Sequence, residues 1–209
     1  MDVDEVSRVK AMDWIPIALG PDIPAGETRA VLLDGVELVV WRGADGAAHV
    51  WTDRCPHRGM RLSFGFVRGT TLNCLYHGWQ YGADGGCRGI PAHPDLIVPR
   101  TIHASTLVSA EAGGWVWLRT TGDAASPPDT GAGTPLLSLV VEATPERIAM
   151  VAGASRDGPL LRGDGLVVGW HGVAPGKTML HAVSAGGDEP AAAVRRLRRW
   201  RDEAEREKS

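Results

Sequence analysis

Two short segments, RCPHRGM at 54–60 and NCLYHGWQY at 73–81, constrain this chain more than anything else in it. Each offers one thiol and one imidazole. Cys55 and His57 stand two positions apart, Cys74 and His77 three apart, and sixteen residues separate His57 from Cys74. Loops of this kind can meet tip to tip, and Gly59 and Gly78, close behind the histidines, allow the tight turns that would aim backbone N–H groups inward. A tetrahedral zinc site also uses two Cys and two His, but it usually sets both thiols in one knuckle and both imidazoles on a helix. Here each loop mixes the two. Mixing suits a two-iron cluster, because each loop then sends its Cys to one iron and its His to the other. A lone Cys or His would be read as packing or as a satisfied core residue. Four in one ordered spacing favour a [2Fe–2S] cluster, with zinc as the alternative. The predicted ligands are Cys55 and Cys74 on one iron and His57 and His77 on the other.

The flanking sequence is that of a β-rich domain. From Asp13 to Leu118 short apolar runs alternate with glycine turns: AVLL, then Asp34-Gly35, then VELVVW, then AHVW, closing on GWVWLR at 114–119. The stretch 121–135, TGDAASPPDTGAGTP, has linker composition. We therefore expect a mainly β domain of antiparallel sheets over 1–120 that carries the two loops, a linker over 121–135, and a small α+β unit over 136–209. In that unit LLSLVVEA, ERIAMVAG, GLVVGW and TMLHAVS read as strands. A closing helix is expected from Asp188, with Pro190 in its first turn. Val194, Leu197, Trp200 and Ala204 recur at helical spacing, while Arg195, Arg196, Arg198, Arg199 and Arg201 read as a solvated face.

Composition removes several function classes. With 209 residues, 44% of them apolar, there is enough chain for a packed domain and a smaller second unit. A net charge of -3 and a pI near 6.2 give no sign of a nucleic-acid partner or an anionic membrane surface. MDVDEVSRVK lacks the basic-then-apolar order of a signal peptide, and no apolar run reaches the ~18 residues of a membrane span. Three cysteines are an odd number for a disulfide framework. A reduced, cytoplasmic protein without membrane anchorage is expected.

C-P-H-R-G, the following L-S-x-G, C-x-Y-H-G-W and G-x-C-x-x-I-P together resemble the N-terminal Rieske domain of aromatic ring-hydroxylating and O-demethylating non-haem iron oxygenases. The resemblance covers residues 13–118. It implies that Cys55, His57, Cys74 and His77 hold the cluster, and that an NAD(P)H-dependent reductase, sometimes through a ferredoxin, supplies electrons bound for a mononuclear iron that activates O₂. Respiratory Rieske proteins carry an extra cysteine in each loop, whereas Met60 and Tyr76 stand at those places here. Trp79 stands where those proteins have a serine hydroxyl on a cluster sulfur, which implies a potential low in the Rieske range. Cys87 is read as packing, His49, His93 and His103 as surface or satisfied core residues, and most tryptophans as core, with Trp79 a shield beside a ligand. Arg58 is read as an orienting group for a carboxylate or redox partner, or as an exposed ion pair.

The resemblance also exposes a gap. Such oxygenases typically hold their catalytic iron on an acid-x3-Asp-x2-His-x4-His pattern, and no stretch of this chain contains it. Segments after 135 resemble the periphery of the oxygenase catalytic domain: VVEATPERIAM, GWHGVAPGKTMLHAVS and the closing helix. A shortened subunit is thus expected, passing electrons to a full-length oxygenase subunit in a hetero-oligomer, trimer-like as in the family. The alternatives are a free Rieske ferredoxin and a complete small oxygenase with an unrecognised iron site. For the last, His171 and His181 with Asp164 or Asp188 are the available donors, although neither spacing sets them on one helix face.

Overall fold

The computed structural model describes residues 12–121, 126–186 and 189–206. In chain order the strands are β1 (Trp14–Leu19), β2 (Thr28–Leu33), β3 (Val36–Arg42), β4 (Ala48–Thr52), β5 (Phe66–Arg68), β6 (Thr71–Asn73), β7 (Gln80–Gly82), β8 (Cys87–Gly89), β9 (Thr106–Leu107), β10 (Ser109–Ala112), β11 (Trp115–Arg119) and β12 (Thr134–Val141). After β12 come α1 (Pro145–Ala152), β13 (Ser155–Asp157), β14 (Leu160–Gly163), β15 (Leu166–Ala174), β16 (Lys177–Ser184) and α2 (Pro190–Glu205). Antiparallel sheets and a terminal helix are the fold class the sequence implied.

Packing divides the chain into two units. The first, Ile23–Leu32 and Val36–Ser109, holds two four-stranded sheets, ordered β2-β3-β4-β9 and β5-β6-β7-β8. Its core is built on Val39, Trp41, Trp51, Leu62, Leu72 and Tyr81, and Cys55 and Cys74 are buried in that same cluster. Trp41 and Trp51 meet edge to face at 5.0 Å. The candidate loops therefore grow out of the best-packed part of this unit.

The second unit comprises 12–22, Leu33–Gly35 and the described residues from 110 onward. A three-stranded sheet, β1-β11-β10, and a five-stranded antiparallel sheet, β12-β16-β15-β14-β13, supply its strands. Trp14, Trp115 and Trp117 pack with Leu160, Val167 and Val183 in one apolar cluster. Val141, Ile148, Val168, Leu180, Leu197 and Trp200 form another beneath the two helices. Covered on both faces, β15 and β16 read as nearly unbroken apolar runs, which is why GLVVGW and TMLHAVS stand out as strands. Gly169 is required here, since a Cβ would meet Pro16 at 2.7 Å and the Trp115 indole nitrogen at 2.9 Å. The two strands flanking the expected linker, β11 and β12, both belong to this unit. Of that linker, Thr134 and Pro135 open β12.

One expected strand is a helix. ERIAMVAG lies in α1, because the residues around it are capping residues: Thr144 Oγ1 accepts from the Arg147 N–H, Pro145 takes the first helical position, and Gly153 closes the helix at φ 59°. The closing helix begins at Pro190 with Glu189 as its cap, while Asp188 lies outside the described residues. Leu197, Trp200 and Ala204 are buried as expected, but Ala193 joins them and Val194 is only half-buried. Arg195, Arg198 and Arg199 are exposed.

Candidate metal centre

The two Cys–His loops are built alike. In the first, the Cys55 N–H donates to the Met60 carbonyl at 2.8 Å and the Gly59 N–H donates to the Cys55 carbonyl at 2.8 Å. In the second, Cys74 N–H donates to Trp79 at 2.9 Å and Gly78 N–H to Cys74 at 2.9 Å. Gly59 and Gly78 have φ of 73° and 70°, the left-handed backbone that favours glycine. Each thiol therefore sits at the neck of a closed turn and each imidazole rides on it.

The sequence around the loops explains why they hold their shape. Asp53, buried at the root of the first loop, accepts from the Ser63 N–H at 2.7 Å and from the Ser63 hydroxyl at 2.6 Å. Gly65 lies so close to the Asn73 and Leu62 carbonyls that any Cβ would collide with backbone. The L-S-x-G run is thus a brace between the loops: Leu62 fills the core, Ser63 ties to Asp53, and Gly65 lets β6 approach. Asn73, also buried, donates its amide to the Phe66 and Thr71 carbonyls and fixes the entry to the second loop.

The donors divide into an inner and an outer pair. Cys55 and Cys74 are each 2% exposed, whereas His57 is half-buried and His77 exposed. The two rings meet edge to face, with centroids 4.8 Å apart and planes at 61°. Aromatic neighbours hold both: Trp79 stacks on His57 at 4.0 Å and 6°, and Tyr76 stacks on His77 at 3.8 Å. Burial raises the pKa of the Cys74 thiol, against the Tyr76 and His77 backbone N–H groups, which favour the thiolate. Desolvation, then the His77 ring and the Arg58 guanidinium, hold His57 below its usual value and keep it the neutral imidazole that binds metals.

Tyr81, fully buried, is a residue the sequence reading did not single out. Its hydroxyl is 3.2 Å from Cys55 Sγ, and burial followed by this contact raises its pKa, so it remains a protonated donor toward a Cys55 thiolate. The available signal was strand alternation, since Tyr81 lies two residues beyond Trp79 in the same segment.

Among the described residues, no three His, Cys, Asp or Glu side chains gather about one point as a single ion would require. Two inward thiols and two outer imidazoles from matched turns instead make a donor set of the kind a two-iron cluster takes. Other polar candidates are used elsewhere. Cys87 is half-buried against the core. His49 bonds Asp45 at 3.1 Å, His103 bonds the Ala104 carbonyl at 2.7 Å, and His93 is exposed. Asp164 accepts from Arg199 and Trp200, while His171 and His181 bond each other at 3.2 Å.

The chain matches the Rieske [2Fe-2S] domain family over residues 13–102, the stretch that contains both loops. Residues 13–102 are a Rieske [2Fe–2S] domain. The cofactor such a domain indicates is a [2Fe–2S] cluster. Oxidoreductase NdmD of Pseudomonas putida is 37% identical over 113 residues, 54% of this chain and 19% of that protein. The oxygenase subunit of 3-chlorobenzoate-3,4-dioxygenase from Comamonas testosteroni is 36% identical over 107 residues, 50% of this chain and 25% of that one. The match thus spans only about a fifth to a quarter of these relatives. A solved structure of Pseudomonas putida CBB5 NdmA, a QL mutant with theobromine, superposes on 97% of this chain and 81% of its own with a TM-score of 0.70. At 20% identity that likeness speaks to fold, and it extends past the Rieske domain into the C-terminal strands and helix. No helix among the described residues is long and apolar enough to cross a membrane.

Proposed function

We propose that this chain is the electron-transfer subunit of a multicomponent non-haem iron oxygenase system. In this reading Cys55 and Cys74 ligate one iron and His57 and His77 the other, within a Rieske domain over 1–120. The segment 121–135 is its linker, and 136–209 a shortened oxygenase-like segment. When bound, the cluster supplies reversible one-electron chemistry. The chain's own residues keep the thiols from water, stack Trp79 and Tyr76 on the two imidazoles, and offer a Tyr81 hydroxyl to Cys55. The observation that carries the reading is this inner and outer division of donors, with the His77 side open to a redox partner. Leu75 and Tyr76, 59% and 55% exposed at the tip, provide an apolar contact there.

The partners we assign are an NAD(P)H-dependent reductase or ferredoxin as donor and a full-length oxygenase subunit, joined in a hetero-oligomer, as acceptor. The cytoplasm is the compartment that keeps such thiols reduced. The test is turnover with and without the acceptor. Protein charged by reductase and NADH should give no hydroxylated or demethylated product from an aromatic substrate by itself. Product should appear once a full-length oxygenase homologue is added. Turnover by this chain alone, with three irons per chain, would replace the reading with that of a complete small oxygenase.

A further inference from the structure

The two Cys–His loops share a backbone design but present different chemistry to solvent. The second, NCLYHGWQY at 73–81, contains no Lys, Arg, Asp or Glu, and Leu75 and Tyr76 are its exposed tip. The first, RCPHRGM at 54–60, carries Arg54 and Arg58, both exposed. The closed turn gathers them. Arg54 folds back across it, so that a Cβ at Gly59 would meet Arg54 Nε at 3.3 Å, and Arg58 immediately precedes that glycine. The bond from the Gly59 N–H to the Cys55 carbonyl holds the turn shut.

Beside this turn lies an open depression of about 380 Å³, lined by Arg54, Arg58, Thr52, His103 and Ser105 and bordered by His57. No carboxylate is among its lining residues. Acidic side chains of the same unit are held by other groups: Asp53 accepts twice from Ser63, Glu37 pairs with Arg61, and Asp84 pairs with Arg88. Among the described residues no ion pair engages Arg54 or Arg58. Two guanidiniums on one turn without a counterion raise the local positive potential, and each can bond a carboxylate through two N–H groups. A free small carboxylate would gain little there, because an isolated exposed ion pair is weak. A protein surface carrying several carboxylates gains more, since opposite charges steer the encounter.

We infer that Arg54 and Arg58 are the docking point for an acidic face of the protein that delivers electrons to this chain. The inference rests on the electron-transfer reading above and adds to it a division of labour between the loops. A donor that must arrive and leave at each turnover is served by exposed charge, which speeds association without prolonging the complex. An acceptor kept in place is served by the apolar tip at Leu75 and Tyr76. Each encounter moves one electron: the donor is oxidised by one, the metal centre is reduced by one, and no proton or group changes hands.

Flavodoxin, a small acidic one-electron carrier, is the probe. Calorimetric titration of the iron-loaded full chain with oxidised flavodoxin at low salt reads docking without electron transfer. The double variant Arg54→Gln, Arg58→Gln should bind about tenfold more weakly, and its remaining affinity should depend less on salt. Arg68→Gln removes a charge at the turn of the β5–β6 hairpin, away from the Asn73 end that leads into the second loop, and should stay within about twofold of the parent. In stopped flow, reduction by flavodoxin hydroquinone should slow several-fold in the double variant, whereas reduction by the methyl viologen radical cation should not. Unchanged flavodoxin affinity, the same loss in Arg68→Gln, or equal slowing with the viologen would each overturn the inference. Absence of iron–sulfur absorption from the loaded protein would instead overturn the electron-transfer reading, and the inference with it.

Discussion

At the level of single residues, the two imidazoles of the proposed ligand set would distinguish this metal centre from an all-thiolate one and raise its potential. Replacing His77 by Cys should preserve a cluster but lower its reduction potential by on the order of 100 mV or more, because an added thiolate charge stabilises the oxidised irons. Protein-film voltammetry reads this directly, and an unchanged potential would remove His77 from the ligand set. A second residue gives the fold a pH dependence. His181 is buried and neutral, and its pKa is lowered first by burial and then by His171. Ser138, at the other ring nitrogen, lies between it and Asp22. The unfolded chain takes up a proton near pH 6.5 that the folded one refuses, so this contribution is present above that pH and lost as pH falls below it. Thermal midpoints should drop between pH 7 and 5, and His181→Gln should flatten the slope. An identical slope in the variant would assign the effect elsewhere. The four candidate ligand positions stand out in the sequence because metal chemistry imposes spacing on it. Tyr81, Asp53 and the Ser138–His181–His171 network do not, since such contacts depend on strand register between residues far apart in the chain.

At the level of elements, the strands were legible where both faces are covered, as in β15 and β16, and where Asp34-Gly35 sets a turn, with φ of 47° and 87°. The misreading of α1 has a local cause. The apolar run IAMVA suits a short strand as well as a helix, and the information lay in Thr144, Pro145 and Gly153 outside it. Its neighbour α2 buries Ala193, Leu197, Trp200 and Ala204, so the worth of its packing can be measured. Leu197→Ala should cost about 2–5 kcal/mol in denaturant unfolding, because the side chain is wholly buried in the cluster beneath the helices. A loss below about 1 kcal/mol would mean that α2 packs loosely. A chain ended at residue 121 lacks Leu160, Val167 and Val183, against which Trp14, Trp115 and Trp117 pack. It should be recovered in soluble form far less than the whole chain. An equally soluble fragment with the same thermal midpoint would show that β1, β10 and β11 hold without those partners.

For the molecule as a whole, the Rieske domain is joined to strands and helices that share the fold of the NdmA structure, in a chain whose match covers a minor share of its curated relatives. A small diffusing shuttle would have little use for the second unit, whereas a subunit held beside an acceptor would gain a high local concentration from it. All of this depends on the cluster and on the four residues proposed to hold it. Pulsed EPR of the reduced protein, with and without ¹⁵N-histidine labelling, measures them most directly. The expected result is the signal of a reduced [2Fe–2S] centre coupled to two imidazole nitrogens, one of which disappears in His77→Cys. A colourless, EPR-silent protein containing one zinc per chain, or an iron signal without histidine nitrogen coupling, would contradict it.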